Sequence, residues 1–168
     1  MIGRFGVGRP SYMRGDALDP AAEADRFEAE VLARPIDLGL IGIGINGHLA
    51  YNDPHVANFS DPRAVRVVEI DPTSRAQAVR DEAFPNEASV PHLAFTITMS
   101  ALLAIRTLSV VVPGGHKAPA VGRTLLDPVS TATPATALRG HPDASLYVDD
   151  DAFELAAAGL KVAAADRR

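Results

Sequence analysis

Short apolar runs alternate with polar, alanine-rich stretches along most of this chain. Ile36 to Ile41 is a nearly continuous apolar run between Pro35 and Gly42, the pattern of a strand buried on both faces of a parallel sheet. Ahead of it, Asp19 caps and Pro20 opens a helix running to about Ala33, with Ala24, Phe27, Val31 and the neighbouring Leu32 as its apolar face. Ala64 to Ile70 reads as a second strand, after which Asp71-Pro72 starts a helix carrying Arg75 and Arg80. Leu93 to Thr98 and Leu108 to Val112 are two further apolar or β-branched runs, linked by a short helix over Ser100 to Ala104. Gly114-Gly115 precede a helix from about His116 to Leu126, with Pro119 accommodated near its first turn. Thr133-Pro134 begins a short helix, Leu146 to Val148 is a last strand, and Asp151 to about Ala164 is a terminal helix whose polar end is expected to fray. Strand and helix alternate, which predicts an α/β fold with a largely parallel sheet.

Length and composition add limits to that picture. A chain of 168 residues supports one core, burying roughly 70% of the unfolded surface, and no repeat, low-complexity tract or linker divides it. The expectation is one α/β domain over residues 1–168, with a poorly defined segment over 1–14. With 47% hydrophobic and 22% charged residues the composition is that of a folded chain, not a disordered one. A net charge of −5 with no basic stripe argues against a nucleic-acid surface. There is no cysteine, which removes disulfides and thiolate metal sites and fits a reducing compartment. No signal-peptide pattern opens the sequence, and no run of about 18 apolar residues is present to span a bilayer. The expected location is cytoplasmic, away from membranes.

Chemistry is expected where the first apolar run breaks, at Gly42-Ile43-Gly44-Ile45-Asn46-Gly47-His48. Gly42, Gly44 and Gly47 allow positive φ and let backbone N–H groups come close to a ligand. His48 and Asp53 follow at once, in the kind of loop at a strand's carboxyl end where α/β proteins place their sites. The glycines also match the dinucleotide fingerprint G-x-G-x-x-G, with Glu69 roughly 20 residues further on. That fingerprint needs a helix beginning within the glycines, whereas His48 to Arg63 holds Asn52-Asp53-Pro54 and Asp61-Pro62, which break helices. A nicotinamide cofactor is therefore not expected.

The thirteen-residue run from Gly42 to Pro54, with Gly47-His48-Leu49-Ala50-Tyr51-Asn52-Asp53-Pro54 at its end, resembles the signature of the glucosamine-6-phosphate deaminase (isomerase) family. Val90-Pro91-His92-Leu93-Ala94-Phe95-Thr96 and Gly114-Gly115-His116-Lys117-Ala118 are similar to two further segments of that family. The related 6-phosphogluconolactonases share the Gly-His pair but usually continue Thr-Ala-Ser-Leu-Phe-Pro, which is not found here. The resemblance covers roughly residues 11 to 155. It implies a Rossmann-like sheet with flanking helices, and a reaction that opens an aminosugar phosphate, moves a proton from C2 to C1 and releases ammonia. The family's N-terminal portion, with its Gly-Gly-Ser/Thr phosphate loop and the Asp that moves the C2 proton, has no counterpart, so the chain reads as the C-terminal part of that domain. The alternatives are a sugar-phosphate binding fragment or paralogue with impaired turnover, and a lactonase-type hydrolase.

Candidate roles follow residue by residue. An imidazole can take and give a proton near neutral pH, so His48 suits transfer from a sugar O1 hydroxyl to the ring oxygen, the role the resemblance implies. Asp53 matches a family glutamate, one methylene shorter, and would orient the imidazole. Asn46 stands where Asp is common and can hold the ring without sharing its charge. Lys117, just after two glycines at a helix start, sits where anions are attracted, and the matching family lysine contacts phosphate. Arg75 and Arg80 both lie where the family carries a phosphate-binding arginine, and spacing does not choose between them. Gly44 and Gly47 complete the expected substrate loop. His55, His92, His116 and His141 share no ligand spacing, so no metal is expected. No cofactor is implied; the partner implied is a small sugar phosphate, and family resemblance alone suggests a homo-oligomer.

Overall fold

The computed structural model describes residues 8–165. Residues 1–7, the Gly-Arg-rich N-terminal stretch, and residues 166–168 lie outside them. The first helix, α1, spans Pro20–Leu32, and the Asp19 carboxylate caps it by accepting from the amides of Ala21 and Ala22. On its buried side Glu23 accepts from Arg26 and the Arg14 amide, and the Arg26 hydrogen bond first among these holds its carboxyl down to about 2.

Next come β1 (Leu38–Ile41), β2 (Val65–Glu69), α2 (Pro72–Arg80), β3 (Leu93–Ile97), α3 (Met99–Leu103) and β4 (Thr107–Val112). A 3-10 turn covers Glu87–Ser89 before β3, another over Gly115–Lys117 leads into α4 (Ala118–Leu126), a third covers Pro134–Gly140, and β5 (Ala144–Val148) and α5 (Asp150–Ala165) close the order. The elements read from the sequence are present within a few residues of their expected ends. Three of the strands make a parallel sheet in the order β1-β4-β5. β2 and β3 pair separately as an antiparallel ribbon, with Val65 opposite Ile97 and Glu69 opposite Leu93.

The core lies on one side of the parallel sheet. Leu108, Val110 and Val112 of β4 point into it, against Met99 and Leu102 of α3, Ala120 and Val121 of α4, and Ala152 and Ala156 of α5. α4 and α5 approach closely because Gly122 lies against Leu155 and Ala156, and Gly159 lies against Leu126.

β1 departs from expectation. It was expected to be buried on both faces, yet it is the edge strand of the sheet, with Leu38 54% and Leu40 75% exposed. An apolar run reports that its side chains favour burial; it does not report how many layers are present to bury them.

Candidate active site

The site is built at the carboxyl ends of β1 and β4, where a cleft of about 460 Å³ opens between the glycine loop, α2 and the start of α4. After Gly42 the chain folds back on itself: the Gly44 amide donates to the His48 carbonyl at 2.9 Å and the Gly47 amide to the Gly44 carbonyl at 2.9 Å. Turns follow in place of a helix, which removes the structural requirement of the dinucleotide fingerprint.

Two expectations for the glycines are corrected here. Their amides are spent within the loop, so Gly44 and Gly47 do not offer N–H groups to a ligand. Of the three, Gly47 alone takes positive φ, at 86°. Gly44 is required for space: a Cβ there would stand 2.1–2.3 Å from Cε1, Nδ1 and Nε2 of His48. Gly44→Ala is therefore expected to push the imidazole out of its hydrogen-bonded position. The side-chain NMR signals of His48 check this, and signals unmoved from the parent protein's would contradict it.

The His48 side chain is 11% exposed and its Nδ1 meets three oxygens: Asn46 Oδ1 at 2.8 Å, Asp53 Oδ1 at 2.9 Å and Ser74 Oγ at 2.9 Å. Two of these belong to groups that can only accept at those atoms, so Nδ1 carries the proton. In the neutral ring Nε2 then holds the lone pair, and no hydrogen-bond partner occupies it among the described residues. His48 lines the cleft, so this nitrogen is the basic atom available to a ligand.

Asp53 is fully buried and accepts from Ser74 Oγ at 2.5 Å, Asn46 Nδ2 at 2.9 Å and the Asp71 amide at 3.0 Å besides His48. Burial alone would raise its carboxyl; the hydrogen bonds from His48, Ser74, Asn46 and Asp71 outweigh that and hold it well below the usual carboxylate range. The loop carrying this network is tied to β3 by Asn52, whose amide donates to Leu49 O, Thr96 Oγ1 and Ile97 O. Ser74 was not found in the sequence. It bridges His48 and Asp53 from the first turn of α2, and only the docking of that helix brings it there.

Lys117 is buried in the opposite wall, its Nζ donating to the Ile43 carbonyl at 3.0 Å. Burial, aided by the nearby Arg80 charge and opposed by Asp81, lowers its pKa. Gln77 and Arg123 pin the loop from two sides: Gln77 Oε1 accepts from the Ile45 amide, and Arg123 donates to the Ile45 carbonyl. The structure separates the two arginines. Arg75 donates to the carbonyls of Glu87 and Val90 and so braces the segment after α2. Arg80 is exposed, and its charge is felt by Lys117. His116 lines the cleft, whereas His141 Nε2 donates to the Ile105 carbonyl, away from it. Among the described residues no cluster of three His, Asp or Glu side chains could hold a metal ion.

No protein-family model matches the chain. Glucosamine-6-phosphate deaminase of Listeria welshimeri is 32% identical over 141 residues, 84% of this chain and 58% of the relative. That of Latilactobacillus sakei is 34% identical over 146 residues, 86% of this chain and 60% of the relative. A solved structure of a monomeric glucosamine-6-phosphate deaminase superposes with a TM-score of 0.77 at 32% identity, covering 85% of this chain and 58% of that one. The 6-phosphogluconolactonase from Trypanosoma cruzi, at 20% identity and a TM-score of 0.60, shares the fold. The chain spans somewhat under three fifths of the length of the Listeria relative it matches. In sequence and in its α/β fold it is thus a homologue of the glucosamine-6-phosphate deaminases, related over most of its own length to part of theirs.

Proposed function

We propose that this cleft binds an aminosugar 6-phosphate and that His48 opens its ring, as the first step of an isomerising deamination. The observation that carries the reading is the three-oxygen grip on His48 Nδ1, which leaves Nε2 basic at the cleft. Nε2 takes the proton of the O1 hydroxyl as the C1–O5 bond breaks, and returns it to O5, leaving an open-chain aldehyde. Asp53 stays ionised throughout and steadies the imidazolium that forms between the two transfers. Proton transfer from C2 to C1 then gives a C2 imine, and water replaces its nitrogen to yield a ketose phosphate and ammonia.

Lys117 and Arg80 are assigned to the phosphate end. Arg80→Ala is expected to weaken glucosamine 6-phosphate binding by about 10- to 100-fold, the value of one charge-assisted hydrogen bond. Arg75→Ala should leave the affinity near the parent's, because Arg75 Nη2 is turned to the carbonyls of Glu87 and Val90 and the side chain does not line the cleft. Calorimetric titration of both variants checks the assignment, and equal losses would contradict it. The reaction is placed in the cytoplasm, where a chain free of cysteine is at no disadvantage.

Ammonium release from glucosamine 6-phosphate tests the full reaction, and whatever release the chain gives is expected to fall by about 10²- to 10⁴-fold in His48→Gln. A second reading rests on the cleft's acids. Among its described lining residues the one carboxylate is Asp81, which Gln77 holds at the end of α2. Binding of glucosamine 6-phosphate without ammonium release would favour a sugar-phosphate binding module over the enzyme.

A further inference from the structure

Ser74 is the one buried residue of α2, and Asp53 fixes it there with both carboxylate oxygens. Oδ1 accepts from Ser74 Oγ at 2.5 Å, and Oδ2 accepts from the amide of Asp71, the residue that caps the helix, at 3.0 Å. Among the described residues the other partners of His48 Nδ1, Asn46 and Asp53, come from the loop that carries the ring itself. Ser74 reaches Nδ1 from a different element, at 2.9 Å.

The hydroxyl has a single hydrogen, and its neighbours decide where it lies. The Asp53 carboxylate is ionised and can only accept, so the hydrogen sits on the contact between Oγ and Oδ1. Towards His48 the same oxygen offers lone pairs only, and Nδ1, which carries a proton, donates to it. The order therefore runs one way, from Nδ1–H to Oγ and from Oγ–H to the carboxylate. The negative end of the hydroxyl dipole faces the imidazole and favours the ring most when Nε2 has taken a second proton. The hydroxyl also draws on the negative charge of Asp53, which acts in the opposite sense. That effect is the smaller one: without Ser74 the carboxylate keeps its full charge and the Asn46 and Asp71 donors, whereas the dipole at Nδ1 is lost outright.

We propose that Ser74 is a positioning residue for ring opening: its oxygen, with its own hydrogen held by Asp53, grips the Nδ1–H of His48 and stabilises the imidazolium that forms when Nε2 takes the O1 proton. Nδ1 keeps its proton throughout, and the transferred proton enters and leaves at Nε2. This role rests on the reading of His48 as the ring-opening base. The charged and titratable groups around His48 are Asp53 on its own loop, Asp71, Arg80 and Asp81 at the two ends of α2, and His116, Lys117 and Arg123 on the side of α4. A change at Ser74 alters none of them, so a shift in the His48 titration reads the hydroxyl.

The His48 ring signal, identified by its loss in His48→Gln, is followed by NMR against pH in the sugar-free protein. Ser74→Ala should keep the parent's circular dichroism and move the midpoint down by about half a pH unit or more, the worth of one neutral hydrogen bond. Ser74→Thr keeps the hydroxyl and should restore the midpoint. Ser74→Cys keeps the volume but carries a weakly bonding thiol, so it reads the same contact should the alanine variant unfold. A second arm follows exchange between the anomers of saturating glucosamine 6-phosphate, which passes through the open chain. Ser74→Ala should accelerate it about two- to tenfold less than the parent does, with affinity unchanged. A midpoint that stays or rises in Ser74→Ala, or a rate equal to the parent's, would overturn the proposal. A parent protein that leaves exchange at the rate of the free sugar would overturn the ring-opening reading and Ser74's part in it together, a failure told apart by the parent's own rate.

Discussion

Asp53→Ala is expected to lower stability by about 3–5 kcal/mol, a large share of the 5–15 kcal/mol that holds a typical domain together. The carboxylate is fully buried and receives hydrogen bonds from His48, Ser74, Asn46 and the Asp71 amide. Removing it takes an acceptor from four donors at once, in a space that alanine leaves empty. The same group makes a pH prediction. Its folded pKa is depressed, so its contribution is fully present above the unfolded value of about 4 and is lost as pH falls from there through the folded value. Urea unfolding should show the alanine variant well below the parent at pH 7, with the gap narrowing only under acid conditions below about pH 4. A loss under about 1 kcal/mol at pH 7 would mean that the network is far looser than its distances indicate.

The second large effect is on chemistry. His48→Gln keeps a polar side chain of similar reach but cannot shuttle a proton, so ring opening should slow by about 10²- to 10⁴-fold, the usual contribution of a positioned acid–base group. Glucosamine 6-phosphate affinity should change little, because the proposal assigns the phosphate end to Lys117 and Arg80. A variant that lost binding in proportion to rate would recast His48 as a contact residue.

Most of the fold and part of this site were legible in the sequence for local reasons. Asn46, His48 and Asp53 lie within eight positions, and glycines, Asn-Asp-Pro and turns fix such a loop mainly by short-range sterics. The helix starts were marked by Asp19-Pro20 and Asp71-Pro72, and in the structure the aspartate caps each of them. What was not legible depends on docking. Ser74 meets His48 only once α2 is placed, and the same placement sends Arg75 to backbone carbonyls and leaves Arg80 exposed. The pairing of β2 with β3 as an antiparallel ribbon was not anticipated, because strand periodicity is silent on direction. Gly44 shows a related limit: its spacing suggested backbone freedom, whereas the structure needs the missing Cβ so that an imidazole can lie against the chain.

The central claim is that the cleft opens a sugar ring through His48, whether or not the later steps are completed. Exchange between the α and β anomers of glucosamine 6-phosphate, followed by two-dimensional exchange NMR, reads that step alone, since the anomers interconvert through the open chain. Acceleration by the protein that disappears in His48→Gln is the predicted result. Exchange at the rate of the free sugar, with the sugar phosphate demonstrably bound, would contradict the account.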